Sequence, residues 1–197
     1  MRLVFLGPPG AGKGTQAARI ATAYGVPAIS TGDIFRANVR EGTPLGVEAQ
    51  GYMDKGEYVP DSVTNGMVRD RLAQPDAAGG FLLDGYPRTV DQVAELDRML
   101  EAAGTALDRV VELTADHDEV VRRLLHRAEV EGRADDTAEV IRHRLTVYTA
   151  ETEPLARLYG ERGLLVQVDG MGEVDAVTAR LLDAIGGAPA SSDLAVG

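Results

Sequence analysis

Cysteine is absent from this chain, which excludes disulfides, thiol catalysis and every cysteine-ligated zinc site. Also missing is any block of consecutive lysines or arginines beyond the pair Arg122-Arg123, in a chain of formal net charge −11. Such a molecule repels a polyanion at long range, and with no basic stripe to overcome the repulsion a nucleic-acid partner is not expected. No apolar run at the start is long enough for a signal sequence or a membrane span, because Met1-Arg2-Leu3-Val4-Phe5-Leu6 runs directly into Gly7. A cytoplasmic protein without a membrane partner is the expectation. His117, His126 and His143 stand among charged helical residues with no metal-like company, so they are read as surface positions.

What is there is an ordinary globular composition: 197 residues, 44% apolar and 26% charged, enough for one well-packed domain and too few for two independent cores. Short apolar runs recur at Leu3 to Leu6, Ala28-Ile29, Phe81 to Leu83, Val110 to Leu113 and Leu164 to Val168, with helical pattern between them. That alternation predicts a parallel sheet flanked by helices. Lys13 to Tyr24 reads as a helix with Ala17, Ile20 and Ala21 inward. From Thr31 to about Leu72 there is no strand signal, only successive helices broken at Gly42-Thr43-Pro44 and Gly56 to Pro60, so this stretch reads as a helical insertion. Asp116 to Ala128 is an amphipathic helix and Glu129 to Asp136 a polar loop; a long helix from Thr137, bent at Pro154, follows. After a last helix at Glu173 to Ile185, residues 187–197 have the composition of a flexible tail.

Gly7-Pro8-Pro9-Gly10-Ala11-Gly12-Lys13-Gly14-Thr15 follows the first strand and opens the first helix. Strand, glycine loop and helix in that order present backbone N–H groups and a helix N-terminus to phosphate oxygens, and Lys13 supplies a mobile point charge. A dinucleotide loop fails on spacing, since threonine stands where the third glycine of G-x-G-x-x-G belongs. The strict phosphate-loop pattern fails too, at Gly14, so the hydroxyl of Thr15 comes one residue later round the helical turn. With no Asn-Lys-x-Asp in the chain and no D-x-x-G at Asp84-Gly85-Tyr86-Pro87, a signalling GTPase is disfavoured. The loop is read as binding a nucleoside triphosphate.

The apolar run Phe81-Leu82-Leu83 delivers Asp84 at its end, where an open parallel sheet holds its ligand crevice. An acid there is suited to hydrated Mg²⁺, which keeps several waters. Arg36, Arg88, Arg123, Arg127, Arg133 and Arg144 are each, singly, an ordinary surface charge. Together they suit a reaction that joins two polyphosphate anions, because guanidinium groups fork onto phosphate oxygens and neutralise the transferring group. One well-placed arginine contributes about 10³- to 10⁵-fold, roughly 4 to 7 kcal/mol of barrier. A phosphate acceptor is already ionised, so no general base is required.

The segments GPPGAGKGTQ, STGDIFR, GEYVPD, FLLDGYPRTVDQ, GRADD and RHRL occur in the order and spacing of the adenylate kinases, which the chain resembles from Met1 to about Ile185. The resemblance implies a P-loop α/β kinase domain over 1–186, with a helical NMP-binding insertion at 30–59 and a short lid loop at 126–136. It implies reversible transfer of the γ-phosphoryl group of ATP to AMP with Mg²⁺. Gly10, Ala11, Gly12, Lys13, Gly14, Thr15 and Arg127 match the ATP side, with Gly172 against the adenine. Thr31, Arg36, Glu57, Tyr58, Val59, Gly85, Tyr86, Pro87, Arg88 and Gln92 match the AMP side. Arg133 and Arg144 match the pair that reaches the phosphates from the lid and the following helix, and Arg123 the one bracing the transferring group. Asp33 and Asp84 match acids that anchor metal-bound water.

Ser30-Thr31-Gly32-Asp33 stands where pyrimidine-accepting relatives carry Ser-Ala-Gly-Asp, which favours AMP over UMP or CMP. A UMP/CMP kinase, or a regulatory module that binds nucleotide without turnover, are the alternatives. Only Ala128 to Gly132 separates Arg127 from Arg133, so the lid is short and holds no metal. A monomer is expected.

Overall fold

The computed structural model describes residues 1–131 and 137–186 of the chain. Residues 132–136 of the expected lid, Arg133 among them, and the tail at 187–197 lie outside the described residues.

Five parallel strands, β1 (Arg2–Leu6), β2 (Ala28–Ser30), β3 (Phe81–Asp84), β4 (Arg109–Thr114) and β5 (Leu165–Asp169), form one sheet in the order β2-β3-β1-β4-β5. The strands are short, and β1 and β3 are almost wholly buried because both sheet faces are covered. Alternate residues part to opposite sides: Val4, Leu6, Phe81, Leu83 and Val110 enter one core, Leu3, Phe5, Leu82, Val111 and Leu113 the other. Helix α1 (Lys13–Tyr24) packs on the second face through Ala17, Ile20 and Ala21, as its spacing predicts, and α9 (Val174–Ile185) lies beside it. The fully buried Ile20 alone contributes about 2 kcal/mol of apolar burial. On the first face lie α4 (Asp61–Leu72), α5 (Val90–Ala102) and α8 (Glu153–Glu161).

Since α1 leaves β1 for one face and α5 leaves β3 for the other, the adjacent C-terminal ends of β1 and β3 are a topological switch point. Loops diverge there and open a crevice. The register sets Phe5 against Asp84, so the glycine loop and the Asp84 turn rise side by side.

The insertion consists of α2 (Thr31–Glu41) and α3 (Pro44–Met53), with a loop leading into α4. Ser30 caps α2 by accepting from the Asp33 N–H, and Thr43 caps α3 by accepting from the Gly46 N–H. Its own core is small: Phe35, Ala49 and Val59 are buried, with Leu45, Tyr52 and Met53 packed around them.

Two expectations are corrected. Helix α6 (His117–Glu131) runs past Ala128, so residues 126–131 are helix rather than loop. Glutamates and alanine are good helix formers, and no breaker comes before Gly132. The helix from Thr137 is not simply bent at Pro154. It is divided into α7 (Ala138–Val147), a π-helical turn at Tyr148–Thr152, and α8. Pro154 falls in the first turn of α8, directly after the wider turn, in which the Glu153 N–H donates to the Tyr148 carbonyl five residues back.

Candidate active site

A cleft of about 510 Å³ opens at the switch point, within the range of small-molecule sites. Among the described residues six basic side chains reach it from five places in the fold: Lys13 from α1, Arg36 from α2, Arg88 from the turn after β3, Arg123 and Arg127 from α6, and Arg144 from α7. In a chain of net charge −11 this convergence is a local reversal of sign, and it marks the cleft as an anion site.

Gly12, with φ 92°, is the N-cap of α1, and no acid stands in that helix's first turn. In contrast, α2, α4 and α5 begin with Asp33, Asp61 and Asp91. The positive end of the α1 dipole is left for a ligand. At Gly10 (φ +86°) a Cβ would meet Leu124 Cγ at 2.8 Å and the Val120 carbonyl at 3.0 Å, so the loop is pressed against α6 and only glycine fits. Gly14 differs: a Cβ there would stand 3.7 Å from Asp84 Oδ2, an ordinary contact, so glycine after the lysine is not forced by space. Thr15 lines the cleft one residue later, as expected.

The Lys13 ammonium donates to the carbonyls of Gly7 at 2.7 Å and Pro8 at 2.9 Å. Its pKa is pushed down to about 8, chiefly by burial and then by Arg88, Arg144 and Arg127, against an upward pull from Asp84. Holding it charged at neutral pH costs about 3 kcal/mol, a cost that incoming phosphate oxygens relieve.

Arg88 is held at both its backbone and its side chain. Its backbone N–H donates to Gln92 Oε1 at 2.7 Å, its Nε–H donates to the Gly85 carbonyl at 2.7 Å, and its guanidinium lies 4.8 Å from the Tyr58 ring centroid. Gly85 is required here: φ is +81°, and a Cβ would sit 2.8 Å from Thr31 Oγ1 and 2.9 Å from an Arg88 terminal nitrogen. The buried Thr31 hydroxyl donates to the Gly85 carbonyl at 2.9 Å, so the start of α2 is tied to the same turn. Arg123 is braced by Glu119 Oε1 at 2.7 Å and the Gly170 carbonyl at 3.3 Å. Arg122 and then Arg123 hold the Glu119 carboxyl below the usual range. Arg36 forms an ion pair with Asp33 at 2.6 Å.

Lys13, Thr15, Thr31, Asp33, Arg36, Glu57, Tyr58, Val59, Asp84, Gly85, Pro87, Arg88, Gln92, Arg123, Arg127 and Arg144 therefore line one cleft, with Gly10, Gly12 and Gly14. Three expected residues do not line it. Tyr86 is 0% exposed and its hydroxyl donates to Asn65 Oδ1 at 2.8 Å, so its ring belongs to the core beneath the turn. Ala11 is buried against the second core, leaving only its backbone for a ligand. Gly172 lies after β5, near Arg180, and is not among the residues lining the cleft. Gln92 is inside but already engaged: besides accepting from Arg88 it donates to Asp61 Oδ1 at 2.6 Å. One N–H and one lone pair of its amide remain.

Residues that the sequence did not reveal are Tyr148 and Thr152 in the π-helical turn, Glu119 behind Arg123, and Asp61 behind Gln92. Asp61 closes the segment GEYVPD and Glu119 stands four residues before Arg123, an ordinary helical pairing distance. No sequence pattern marks a π-helical turn.

Among curated proteins, an adenylate kinase of Nocardioides sp. is 65% identical over 191 residues, 97% of this chain and 100% of that protein. Another, from Kocuria rhizophila, is 64% identical over 184 residues, covering 93% of this chain and 98% of its own. A third, from Renibacterium salmoninarum, is 60% identical over 190 residues, 96% of this chain and 98% of its own. The family model described as adenylate kinase matches residues 5–164. The chain belongs to the adenylate kinase family.

Its members' P-loop architecture accounts for the parallel sheet, the glycine loop at β1 and the acid at the end of β3. Among the described residues no helix is long and apolar enough to cross a membrane, and no group of three or more acids and histidines could by itself hold a metal ion.

Proposed function

We propose that this chain transfers the γ-phosphoryl group of ATP to AMP, reversibly, giving two ADP. The observation that carries the reading is the convergence of six cations on a cleft shared by the glycine loop and the helical insertion, in a chain related over nearly its whole length to adenylate kinases.

Two phosphate chains that repel each other must be brought end to end, and the cost of doing so is what fixed cations offset. On this reading Gly10 to Thr15, with Lys13 and Arg127, hold the triphosphate, while Arg36 and Arg88 hold the monophosphate. Arg123, Arg133 and Arg144 neutralise the group in flight. Thr31, the backbone at Glu57 to Val59 and the remaining capacity of Gln92 face the acceptor nucleoside. The Arg36–Asp33 pair opens when AMP arrives, freeing one partner for phosphate and the other for metal-bound water. The insertion at 30–59 and the segment at 126–136 close over the two nucleotides, excluding the water that would otherwise take the phosphoryl group.

Mg²⁺ fits this donor set. Asp84 lies alongside Gly14 at the start of α1, and with Asp33 it offers hard oxygen ligands too few for a protein-built site but suited to an ion carried in on phosphates with its waters. Bound there, the ion would neutralise charge on the β- and γ-phosphates. A monomer is part of this reading, and a cytoplasmic place accords with its free nucleotide substrates.

The test offers AMP, CMP, UMP and GMP separately with ATP and Mg²⁺, following each diphosphate. Two ADP formed per AMP, with the other acceptors far slower, is expected. A pyrimidine preference would overturn the base assignment, and ATP binding without transfer to any acceptor would make the chain a regulatory module.

A further inference from the structure

The Tyr58 ring beside the Arg88 guanidinium and the Arg88 backbone share one further partner, Thr152. Thr152, buried in the π-helical turn, donates its hydroxyl to the Arg88 carbonyl at 2.8 Å, and the same Oγ1 lies 2.8 Å from the Tyr58 hydroxyl. Because the threonine proton is committed to the carbonyl, the tyrosine is the donor in that second bond. The Tyr58 ring in turn lies 4.8 Å from the Arg88 guanidinium carbon. Thr152, Tyr58 and Arg88 thus form a closed circuit: hydroxyl to carbonyl, phenol to hydroxyl, ring to guanidinium. Each member comes from a different part of the fold. Tyr58 stands in the loop that ends the insertion, Arg88 in the turn after β3, and Thr152 between α7 and α8.

The π-helical turn explains how Thr152 gets there. Arg144, Tyr148 and Thr152 all line the cleft at spacings of four, yet over eight residues a straight α-helix would rotate the last of them by about 80° off the face of the first. A wider turn restores the face, which is a recurrent use of π-bulges.

We propose that Thr152 is a positioning residue for phosphoryl transfer. Through Tyr58 it fixes the Arg88 guanidinium in the orientation in which the insertion loop is docked, so that the arginine is aimed only when the acceptor side is in place. The inference rests on the functional reading above and deepens it. Tyr58 contributes its side chain to this circuit, whereas the acceptor assignment concerns its backbone.

The test is single-turnover transfer from ATP to AMP at saturating concentrations, with the ATP dissociation constant measured alongside. Thr152→Val should slow transfer about tenfold, the equivalent of one lost buried hydrogen bond, with ATP affinity unchanged; Thr152→Ser should restore the rate to within about twofold. Tyr58→Leu, at a half-buried position that tolerates the change, should slow transfer similarly and raise the KM for AMP more than that for ATP. In an Arg88→Ala background neither substitution should cost anything further, because the group they aim is gone. Wild-type rates in Thr152→Val or Tyr58→Leu, or an undiminished loss in the Arg88→Ala background, overturn the proposal. Should Thr152→Val fail to fold, the Tyr58→Leu pair of measurements decides alone. A wild-type chain that transfers nothing brings down the functional reading and this inference with it.

Discussion

Raising the pH should unload the phosphate loop before it harms the fold. With a pKa pushed down to about 8 in the open cleft, half of the Lys13 side chains are neutral at that pH, and a phosphate ligand requires them charged. Bound between phosphate oxygens, the amine returns toward its ordinary value near 10.5. Binding should then take up about 0.1 proton per ATP at pH 7, about 0.5 at pH 8 and about 0.9 at pH 9. The apparent dissociation constant for MgATP should rise about tenfold between pH 7 and pH 9, or 1.4 kcal/mol. Calorimetric titration in buffers of different ionisation enthalpy reads the proton number directly, and ATP's own phosphates are already ionised above pH 8.

The sign for stability is opposite. A lysine with a depressed folded pKa binds its proton less firmly than in the unfolded chain, so between about pH 8 and 10 the empty protein gains stability as pH rises. Weaker binding in a sturdier protein is thus the signature. Proton uptake that is zero at pH 8, or an ATP affinity flat from pH 7 to 9, would refute the account of Lys13 as a cation destabilised by burial.

Arg88→Ala should lower kcat by about 10³-fold or more while the thermal midpoint moves by only a few degrees; an unchanged rate would remove Arg88 from the chemistry. Gln92→Ala should raise the KM for AMP more than that for ATP and also cost about 1–3 kcal/mol in urea unfolding, since the Arg88 N–H and Asp61 both lose a partner. Equal weakening of both nucleotides would contradict its place on the acceptor side. Gly85→Ala should lower the thermal midpoint by about 2–8 °C and depress kcat together with it, because the new methyl meets both Thr31 and Arg88; a fully active, equally stable variant would contradict the described turn.

Much of this was legible in the chain because the signals are local. A buried strand, a glycine loop and a helix opening on Lys13 are contiguous, and so are Phe81 to Arg88. What escaped depends on facing and on distant partners. Gly85-Tyr86-Pro87-Arg88 reads as a run of ligand-facing residues, yet the turn rolls Tyr86 into the core and leaves Arg88 in the cleft. Gln92 reads as a polar side chain available to a base, while its amide is engaged by Arg88 and by Asp61, which lies 31 residues earlier. Sheet order was also beyond reach, since alternation predicts parallel strands without saying which lie side by side. Pro154 reads as a bend, but that the backbone meets it with a π-helical turn, and that this turn carries Thr152 into the cleft, depends on facing.

The central claim is direct transfer between two nucleotides held at once. Its sharpest test is a single turnover with ATP labelled at the γ-phosphorus and excess AMP, quenched at intervals and resolved by product. The account predicts that the label passes into the ADP made from AMP, with almost none appearing as inorganic phosphate. Label released as inorganic phosphate at a rate indifferent to AMP would show a nucleotide hydrolase, and would contradict it.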